Sequence, residues 1–256
     1  MTSQIKWKDQ IQAFDERRDI VIPGNKMQTI NFCVQQFIDI AQHAIKDHGS
    51  FSVALSGGST PKSIYEQLTT GENREKIDWK KVYLFWSDER AVPPDNIESN
   101  YRMAMEAGFS KVPIPAENVF RMVVENHIDE HAKEYEKLIK SKVHSGQFDL
   151  VMLGMGEDGH TASLFPKSHG LHTPDRYVVA NYVQQMHVWR MTMTYECINA
   201  AKHISIYVLG KNKAEMVKRV LSGPFDPDEL PIQNVGTPTH KALWILDSEA
   251  ASQISK

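Results

Sequence analysis

The chain has 256 residues, of which 41% are hydrophobic and 24% are charged, and its formal net charge is −3. This composition indicates a packed globular core, and the length suits one domain or two small ones. Because the sequence shows no internal repeat, linker or low-complexity segment, we expect a single domain over residues 1–256. The acidic balance argues against general nucleic-acid binding. No apolar run approaches the ~20 residues that cross a bilayer, and the N-terminus lacks the apolar core of a signal peptide. We therefore expect a cytoplasmic protein without membrane contact.

Apolar periodicity predicts strands that alternate with helices along the whole chain. In chain order the predicted elements are strand 18–22, helix 27–46, strand 51–55, helix 62–68, strand 81–86, a helix from 101, a connector with a short strand near 118–121, helix 129–143, strand 148–153, a helical turn at 161–165, strand 177–180, the alternating segment 188–194 and a helix after it, strand 203–209, helix 211–221, strand 242–246 and a short C-terminal helix. This order predicts a single-domain α/β fold of three layers, with a largely parallel sheet and helices on both faces.

A glycine turn follows the second predicted strand. Pro61 suits the first turn of the next helix, and Ser59 or Thr60 suits its N-cap. A helix N-terminus with glycine amides and hydroxyls is able to bind an anion, so we expect a phosphate site at Gly57, Gly58, Ser59 and Thr60. An ordinary N-cap remains the alternative. Because no Gly-Lys-Ser/Thr ending is present, this is not a triphosphate loop.

Charged residues follow the third predicted strand, in the run Asp88-Glu89-Arg90. The carboxyl ends of strands in open α/β sheets are where ligands bind, and Arg90 is able to pair with a carboxylate or a phosphate. An ordinary solvated turn is the alternative. Further along, Ser99 and Asn100 are predicted to cap the next helix.

The stretch 148–166, FDLVMLGMGEDGHTASLFP, is the strongest candidate for a catalytic loop. Its apolar start predicts a buried strand, followed by Gly154, Gly156 and Gly159 and then by His160. Asp158, two residues before His160, supplies a carboxylate that is able to orient the imidazole. The glycine spacing also fits a dinucleotide loop, but His160 and Pro166 interrupt the long helix that such a fold needs. A catalytic loop is therefore favoured.

Two more cations are candidates for an anion site. Arg190 points into a site or lies on the surface of an edge strand, and the sequence leaves both alternatives open. Lys213 falls in the first turn of a helix, which is an unfavourable place for a cation unless it serves an anion. Cys33 and Cys197 are predicted to be buried thiols. His127, His131 and His144 lack metal-ligand spacing and are expected at the surface. His43 and His48, near the end of a predicted helix, are expected to be solvated.

Four loops together resemble one protein family. They are LSGGSTP at 55–61, WSDERAV at 86–92, ESNY at 98–101 and GMGEDGHTASLFP at 154–166. Their order and sequence resemble the 6-phosphogluconolactonases, hydrolases of the oxidative pentose phosphate pathway, and also the related glucosamine-6-phosphate deaminases. The resemblance implies a Rossmann-like fold of the sugar-phosphate isomerase/deaminase type. It favours the lactonases over the deaminases, which carry a tyrosine in place of Arg90 and an additional acid in the run after the histidine.

The resemblance also implies roles for the candidate residues. His160 would be the general base for water, Asp158 would orient it, and Arg90 or the amides from Gly156 to Gly159 would stabilise the oxyanion. The 6-phosphate is expected to contact Ser59, Thr60, Arg190 and Lys213. Asp88 and Glu89 are expected to bind sugar hydroxyls or to shape the pocket, and Asn100 is a further expected substrate contact. The expected partner is a small sugar-phosphate lactone, with no metal or cofactor, and the chain is expected to be a monomer or a weak homo-oligomer. A deaminase and a non-catalytic sugar-phosphate-binding module remain the alternatives.

Overall fold

The computed structural model describes residues 6–254. The strands in chain order are β1 Gln12–Ala13, β2 Arg18–Gly24, β3 Phe51–Leu55, β4 Val82–Trp86, β5 Asp88–Arg90, β6 Leu150–Gly154, β7 Val178–Val183, β8 Val188–Met193, β9 Ile204–Val208 and β10 Ala242–Asp247. The α-helices are α1 Lys26–His48, α2 Ser59–Leu68, α3 Gly71–Arg74, α4 Asn100–Glu106, α5 Ile128–Lys142, α6 Tyr195–Asn199 and α7 Ala214–Ser222. Short 3₁₀ helices lie at Lys6–Gln10, Trp79–Lys81, Phe109–Lys111, Ala116–Asn118, His144–Gly146, His169–Leu171, Lys211–Lys213 and Pro231–Asn234.

The main sheet of the described chain has the strand order β1-β2-β10-β9-β6-β3-β4. Its strands run parallel except for β1, which pairs antiparallel with β2. The chain continues from β3 to β4 on one side, and from β6 to β9 on the other. The strand order therefore reverses between β3 and β6, and a crevice at such a reversal is where α/β sheets bind ligands. Flanking helices complete the α/β architecture that the sequence predicted.

The buried faces of the elements follow the sequence pattern. Every residue of β3, β9 and β10 is buried, as expected for parallel strands covered on both sides. Helix α1 packs on this sheet, with the rings of Phe37 and Phe51 5.2 Å apart, edge to face. Asn25 and Gln28 form a capping box at its start, and Gly49 ends it with φ 89°. Cys33 and Cys197 are buried and free, as predicted.

A second sheet of three antiparallel strands, in the order β5-β8-β7, was not predicted. Strand β5 was read as a charged turn because its three residues, Asp88 to Arg90, are polar. They nevertheless pair with Thr192, Met191 and Arg190 in β8. This pairing brings the loop after β4 next to a segment a hundred residues later in the chain, which local patterns do not reveal.

Several local predictions were wrong. Helix α2 has Gly58 as its N-cap, without a side-chain cap, so neither Ser59 nor Thr60 has that place. Residues 161–165 form a turn in which Thr161 bridges Leu164, and residues 248–253 form turns in place of a C-terminal helix. The short strand near 118–121 is only a bridge from Val119 to Leu84. None of the helices in residues 6–254 is long and apolar enough to cross a membrane.

Candidate active site

A cavity of about 330 Å³ opens at the carboxyl end of the main sheet. The loops after β3, β6 and β9 form it together with residues of β5 and α4. Most of the residues that the sequence singled out line this cavity: Gly57, Gly58, Ser59, Thr60, Asp88, Arg90, Asn100, Gly156, His160 and Lys213. Four others lie close by in the fold but are not part of the lining: Glu89, Asp158, Gly159 and Arg190.

The start of α2 forms one wall of the cavity. Gly58 has φ 103°, a conformation that residues with a side chain rarely adopt, and it supplies no side-chain oxygen to the first turn. The backbone N–H groups at the start of a helix lack partners inside the helix. Because Ser59 and Thr60 also line the cavity, this uncapped helix start is suited to an anion.

Asp158 and His160 form a hydrogen-bonded pair at the cavity. The carboxylate Oδ1 of Asp158 lies 2.5 Å from Nδ1 of His160 and also accepts from its backbone N–H at 3.1 Å. Burial alone would raise the pKa of Asp158, but the hydrogen bond and charge of His160 outweigh it and lower this pKa. An ionised carboxylate only accepts hydrogen bonds, so Nδ1 carries the proton. Nε2 is then the nitrogen that is able to take a proton from water.

The loop around this pair depends on a close approach that only glycine permits. A Cβ atom on Gly156 would lie 2.1 Å from Nδ1 of His160 and 2.6 Å from Oδ1 of Asp158. The N–H of Gly156 donates to the carbonyl of His160 at 2.9 Å and closes the loop. The ring of Phe165 stacks on the imidazole with centroids 4.1 Å apart. Gly159 is buried behind the loop, where its carbonyl accepts from the N–H of Ile232.

Asp88 lies in a hydrogen-bonded group that joins three loops. Its Oδ2 accepts from the hydroxyl of Ser163 at 2.6 Å, and its backbone carbonyl accepts from the amide of Asn100 at 3.0 Å. Asn100 in turn presses on Gly57, where a Cβ atom would meet the Asn100 oxygen at 2.0 Å. Sequence reasoning missed Ser163 as a site residue because it read the run around it as a helical turn.

The two expected roles of Glu89 were a contact with the sugar and the shaping of the pocket. The Glu89 side chain is buried outside the cavity lining, and its two oxygens accept from the N–H groups of Arg90, Asn100 and Tyr101 and from the hydroxyl of Ser99 at 2.8 to 3.0 Å. Burial raises the pKa of Glu89, although these N–H donors oppose the rise. With these bonds made, the carboxylate is engaged by the protein itself.

Arg90 and Arg190 lie directly opposite each other on paired strands. The Nε atom of each is buried and has no hydrogen-bond partner within residues 6–254. Burial, and next the charge of Arg90, lower the pKa of Arg190. The charges of Asp88, Glu98 and Glu89 oppose this lowering. A buried Nε without a partner is able to donate to an anion, which favours the interpretation of Arg190 as a site residue over a free surface arginine.

The loop after β9 closes the remaining side of the cavity. Lys213 lines it and donates from Nζ to the carbonyl of Met155 at 3.0 Å. Asn212, which the sequence analysis missed, also lines it and donates to Glu157 at 2.9 Å. Its position just after a strand and Gly210 was the available signal. Within the described part of the chain, no group of three or more His, Cys, Asp or Glu residues is arranged to hold a metal ion.

Comparison with known proteins finds relatives of similar sequence and fold. A 6-phosphogluconolactonase of Chlamydia pneumoniae is 38% identical over 239 residues, which cover 93% of this chain and 91% of that protein. The crystal structure of the devB protein matches with a TM-score of 0.84 at 31% identity, covering 92% of this chain and 99% of that one. The 6-phosphogluconolactonase of Thermotoga maritima matches with a TM-score of 0.77 at 29% identity, covering 90% and 99%.

The matching family model is described as glucosamine-6-phosphate isomerases/6-phosphogluconolactonase and extends over residues 24–244. All the loops that form the cavity fall within this range. The chain therefore belongs to the glucosamine-6-phosphate isomerase/6-phosphogluconolactonase family.

Proposed function

We propose that this chain hydrolyses 6-phospho-D-glucono-1,5-lactone to 6-phospho-D-gluconate, a step of the oxidative pentose phosphate pathway. The observation that carries the proposal is the Asp158–His160 pair beside a polar cavity of about 330 Å³. The names of the relatives support the substrate. A lactone is an activated ester, so a base and good positioning suffice for catalysis.

In the proposed reaction, a water molecule attacks the C1 carbonyl carbon while Nε2 of His160 takes one of its protons. Asp158 stabilises the imidazolium that forms. Arg90, or the loop amides from Gly156 to Gly159, stabilises the negative charge on the carbonyl oxygen. The bond between C1 and the ring oxygen then breaks, and His160 returns its proton to that oxygen. The new carboxylic acid releases its remaining proton to solvent.

Two groups of residues would hold the substrate. The 6-phosphate is assigned to the start of α2 together with cations, through Gly57, Gly58, Ser59, Thr60, Arg190 and Lys213. The sugar hydroxyls are assigned to Asp88 and Asn100. Support comes from the uncapped helix start, the unpartnered Nε of Arg190 and the polar lining of the cavity.

Deamination of an amino sugar phosphate is the second candidate, because the family includes enzymes of both kinds. The residue directly beyond Thr161 disfavours it. Ala162 lines the cavity where the deaminases are expected to present a run with an additional acid. A binding module without turnover is also disfavoured, since it would not need an oriented base at its ligand.

The test is to measure acid release by the purified protein with freshly prepared 6-phosphogluconolactone in weak buffer, with the spontaneous rate subtracted. We expect strong acceleration, and little acceleration with unphosphorylated gluconolactone. The same protein should release no ammonia from glucosamine 6-phosphate. Steady ammonia release without lactone hydrolysis would instead establish the deaminase, and ligand binding without either reaction would establish the binding module.

We further propose that the protein acts in the cytoplasm as a monomer or a weak homo-oligomer and does not bind nucleic acid. The net charge of −3 supports the last point, because nucleic-acid binding needs a basic face. Sedimentation at several protein concentrations tests the oligomeric state, and an electrophoretic shift with duplex DNA tests the nucleic-acid claim.

A further inference from the structure

We propose that Glu89 is a positioning residue, which holds Arg90 and Asn100 in place from behind the cavity and does not contact the substrate. Its kinetic consequence depends on the lactonase function proposed above. The inference itself depends on the hydrogen bonds of one buried carboxylate, which is 2% exposed.

The carboxylate of Glu89 joins the end of β5 to the start of α4. One oxygen accepts from the N–H groups of Arg90 and Asn100, and the other accepts from Tyr101 N–H and Ser99 hydroxyl. Two of these donors are N–H groups of the first turn of α4, which have no partner inside the helix. A negative charge is favourable at that position. Glu89 therefore fixes where this seven-residue helix begins.

Arg90 and Asn100, whose backbone N–H groups donate to Glu89, both carry side chains that line the cavity. Asn100 donates to the carbonyl of Asp88 and lies against Gly57, so its position sets the distance between the loop after β3 and strand β5. Arg90 in β5 lies opposite Arg190 in the neighbouring strand β8. A small movement at the start of α4 would thus displace Asn100, and with it the loop after β3 and strand β5.

The arrangement requires a group that accepts at both oxygens. Glutamine has nearly the same shape, but it replaces one acceptor with an NH₂ donor. With its oxygen toward Arg90 and Asn100, the NH₂ group is able to donate to Ser99 but opposes the N–H of Tyr101. With the opposite orientation it opposes two N–H groups. Glu89→Gln therefore breaks the support of α4 while it keeps the volume of the side chain.

The experiment compares steady-state kinetics of Glu89→Gln and wild type. We expect kcat to fall by about ten- to a hundredfold, because a shift of about 1 Å in a catalytic group has an effect of that size. KM should rise by a smaller factor than kcat falls, because Glu89 contacts neither the start of α2 nor Lys213, to which the phosphate is assigned. A direct sugar ligand would give the reverse pattern, with KM raised and kcat kept, and that result would overturn the proposal.

Ser99→Ala is the matched control. It removes one hydrogen bond to Glu89 and the N-cap bond to Arg102 N–H, so it also weakens the start of α4. It leaves the three N–H bonds to Glu89 in place, and its kcat should stay within about threefold of wild type. An equal loss of kcat in both variants would show that any fraying of α4 has this effect, and would refute a specific role for Glu89.

Amide hydrogen exchange separates a failure of this inference from a failure of the proposed function. In Glu89→Gln, the amides of Asn100 and Tyr101 should exchange at least about tenfold faster than in wild type, whatever reaction the protein catalyses. Unchanged exchange would overturn the inference even in an active lactonase. If Glu89→Gln does not fold, Glu89→Asp, which keeps the charge but has a shorter reach, is measured in the same way with the same expected direction.

Discussion

An aspartate and a histidine are paired at each end of the main sheet, and their surroundings differ sharply. At the carboxyl end, the side chains of His160 and Asp158 are 29% and 48% exposed beside the cavity. At the amino end, the side chains of His48 and Asp149 are only 7% and 2% exposed, with Nε2 and Oδ1 2.9 Å apart. The same two side-chain types therefore occur once next to open space and once inside the protein.

The pair at the amino end is part of a larger hydrogen-bonded group. Asp149 also accepts from the N–H and hydroxyl of Ser52 and from Nζ of Lys202. His48 stacks on His144 with centroids 4.5 Å apart. These contacts join the end of α1 to the starts of β3 and β6. The expectation that His48 is a solvated residue was wrong, and its role in the structure is to stabilise the fold.

His160, the proposed base, and the buried His48 both have an aspartate partner, so the aspartate does not distinguish them. His160 has one nitrogen fixed by Asp158, and its ring adjoins a cavity where a water and a substrate have room. His48 uses Nε2 for the aspartate, and its Nδ1 is buried. A general base must reach the proton that it removes, and only the first arrangement allows this.

The largest expected effect is on turnover by His160→Asn. This change should lower kcat by about two to four orders of magnitude, because the general base is removed while the phosphate contacts remain. His48→Asn is the matched control at the other end of the sheet, and it should lower stability with little change in kcat. Lactone kinetics together with thermal unfolding of both variants make the test. If His160→Asn keeps most of its turnover, His160 is not the general base and Asp88 becomes the candidate for that role.

Asp149→Ala should have the largest effect on stability. Removal of one partner from a buried charged group costs about 3 kcal/mol or more, because the others lose their acceptor. The free energy of unfolding is measured by denaturant titration, and kcat of the folded fraction should stay near wild type. A variant that is as stable as wild type would mean that the amino-end pair does not hold the fold.

The two pairs also show how far the sequence alone can be read. Asp158 and His160 are two positions apart in a glycine loop, so their contact was predictable from local spacing. Asp149 and His48 are 101 positions apart, and only the packing of α1 against the sheet brings them together. The same holds for Arg90 and Arg190, which meet through a second sheet that the polar residues of β5 concealed. The alternating strands and helices, in contrast, follow from apolar periodicity and were largely predicted.

Asp158→Asn tests the orientation of the base and should have a smaller effect than His160→Asn. We expect kcat to fall by about ten- to a hundredfold, since the amide no longer fixes Nδ1–H or stabilises an imidazolium. In wild type the pKa of Asp158 is lowered, so its carboxylate stays charged as the medium is acidified.

In wild type, Asp158 therefore contributes to kcat down to the pH at which its carboxylate is protonated, whereas Asp158→Asn lacks this contribution at every pH. The measurement is kcat against pH for both proteins, with the alkaline background rate subtracted. If the profiles coincide and the plateau is unchanged, Asp158 does not act on His160.

The smallest expected effect concerns the starts of two helices. As with the two pairs, one start is engaged by the protein itself and the other faces the cavity. Helix α1 begins with the capping box of Asn25 and Gln28, whereas α2 begins at Gly58 without a side-chain cap and faces the cavity. The combined change Ser59→Ala and Thr60→Ala removes two hydroxyls but leaves the backbone N–H groups of α2. Each of the two lost hydrogen bonds contributes about 0.5–1 kcal/mol net, so KM for the phosphorylated lactone should rise by about five- to thirtyfold with kcat nearly unchanged. Asn25→Ala, the control at the capped helix, should cost about 1 kcal/mol of stability and leave KM unaltered.

Inorganic phosphate should inhibit wild type competitively and the double variant more weakly. Equal inhibition of both by phosphate, with equal KM, would place the anion away from α2 and leave Arg90, Arg190 and Lys213 as its site.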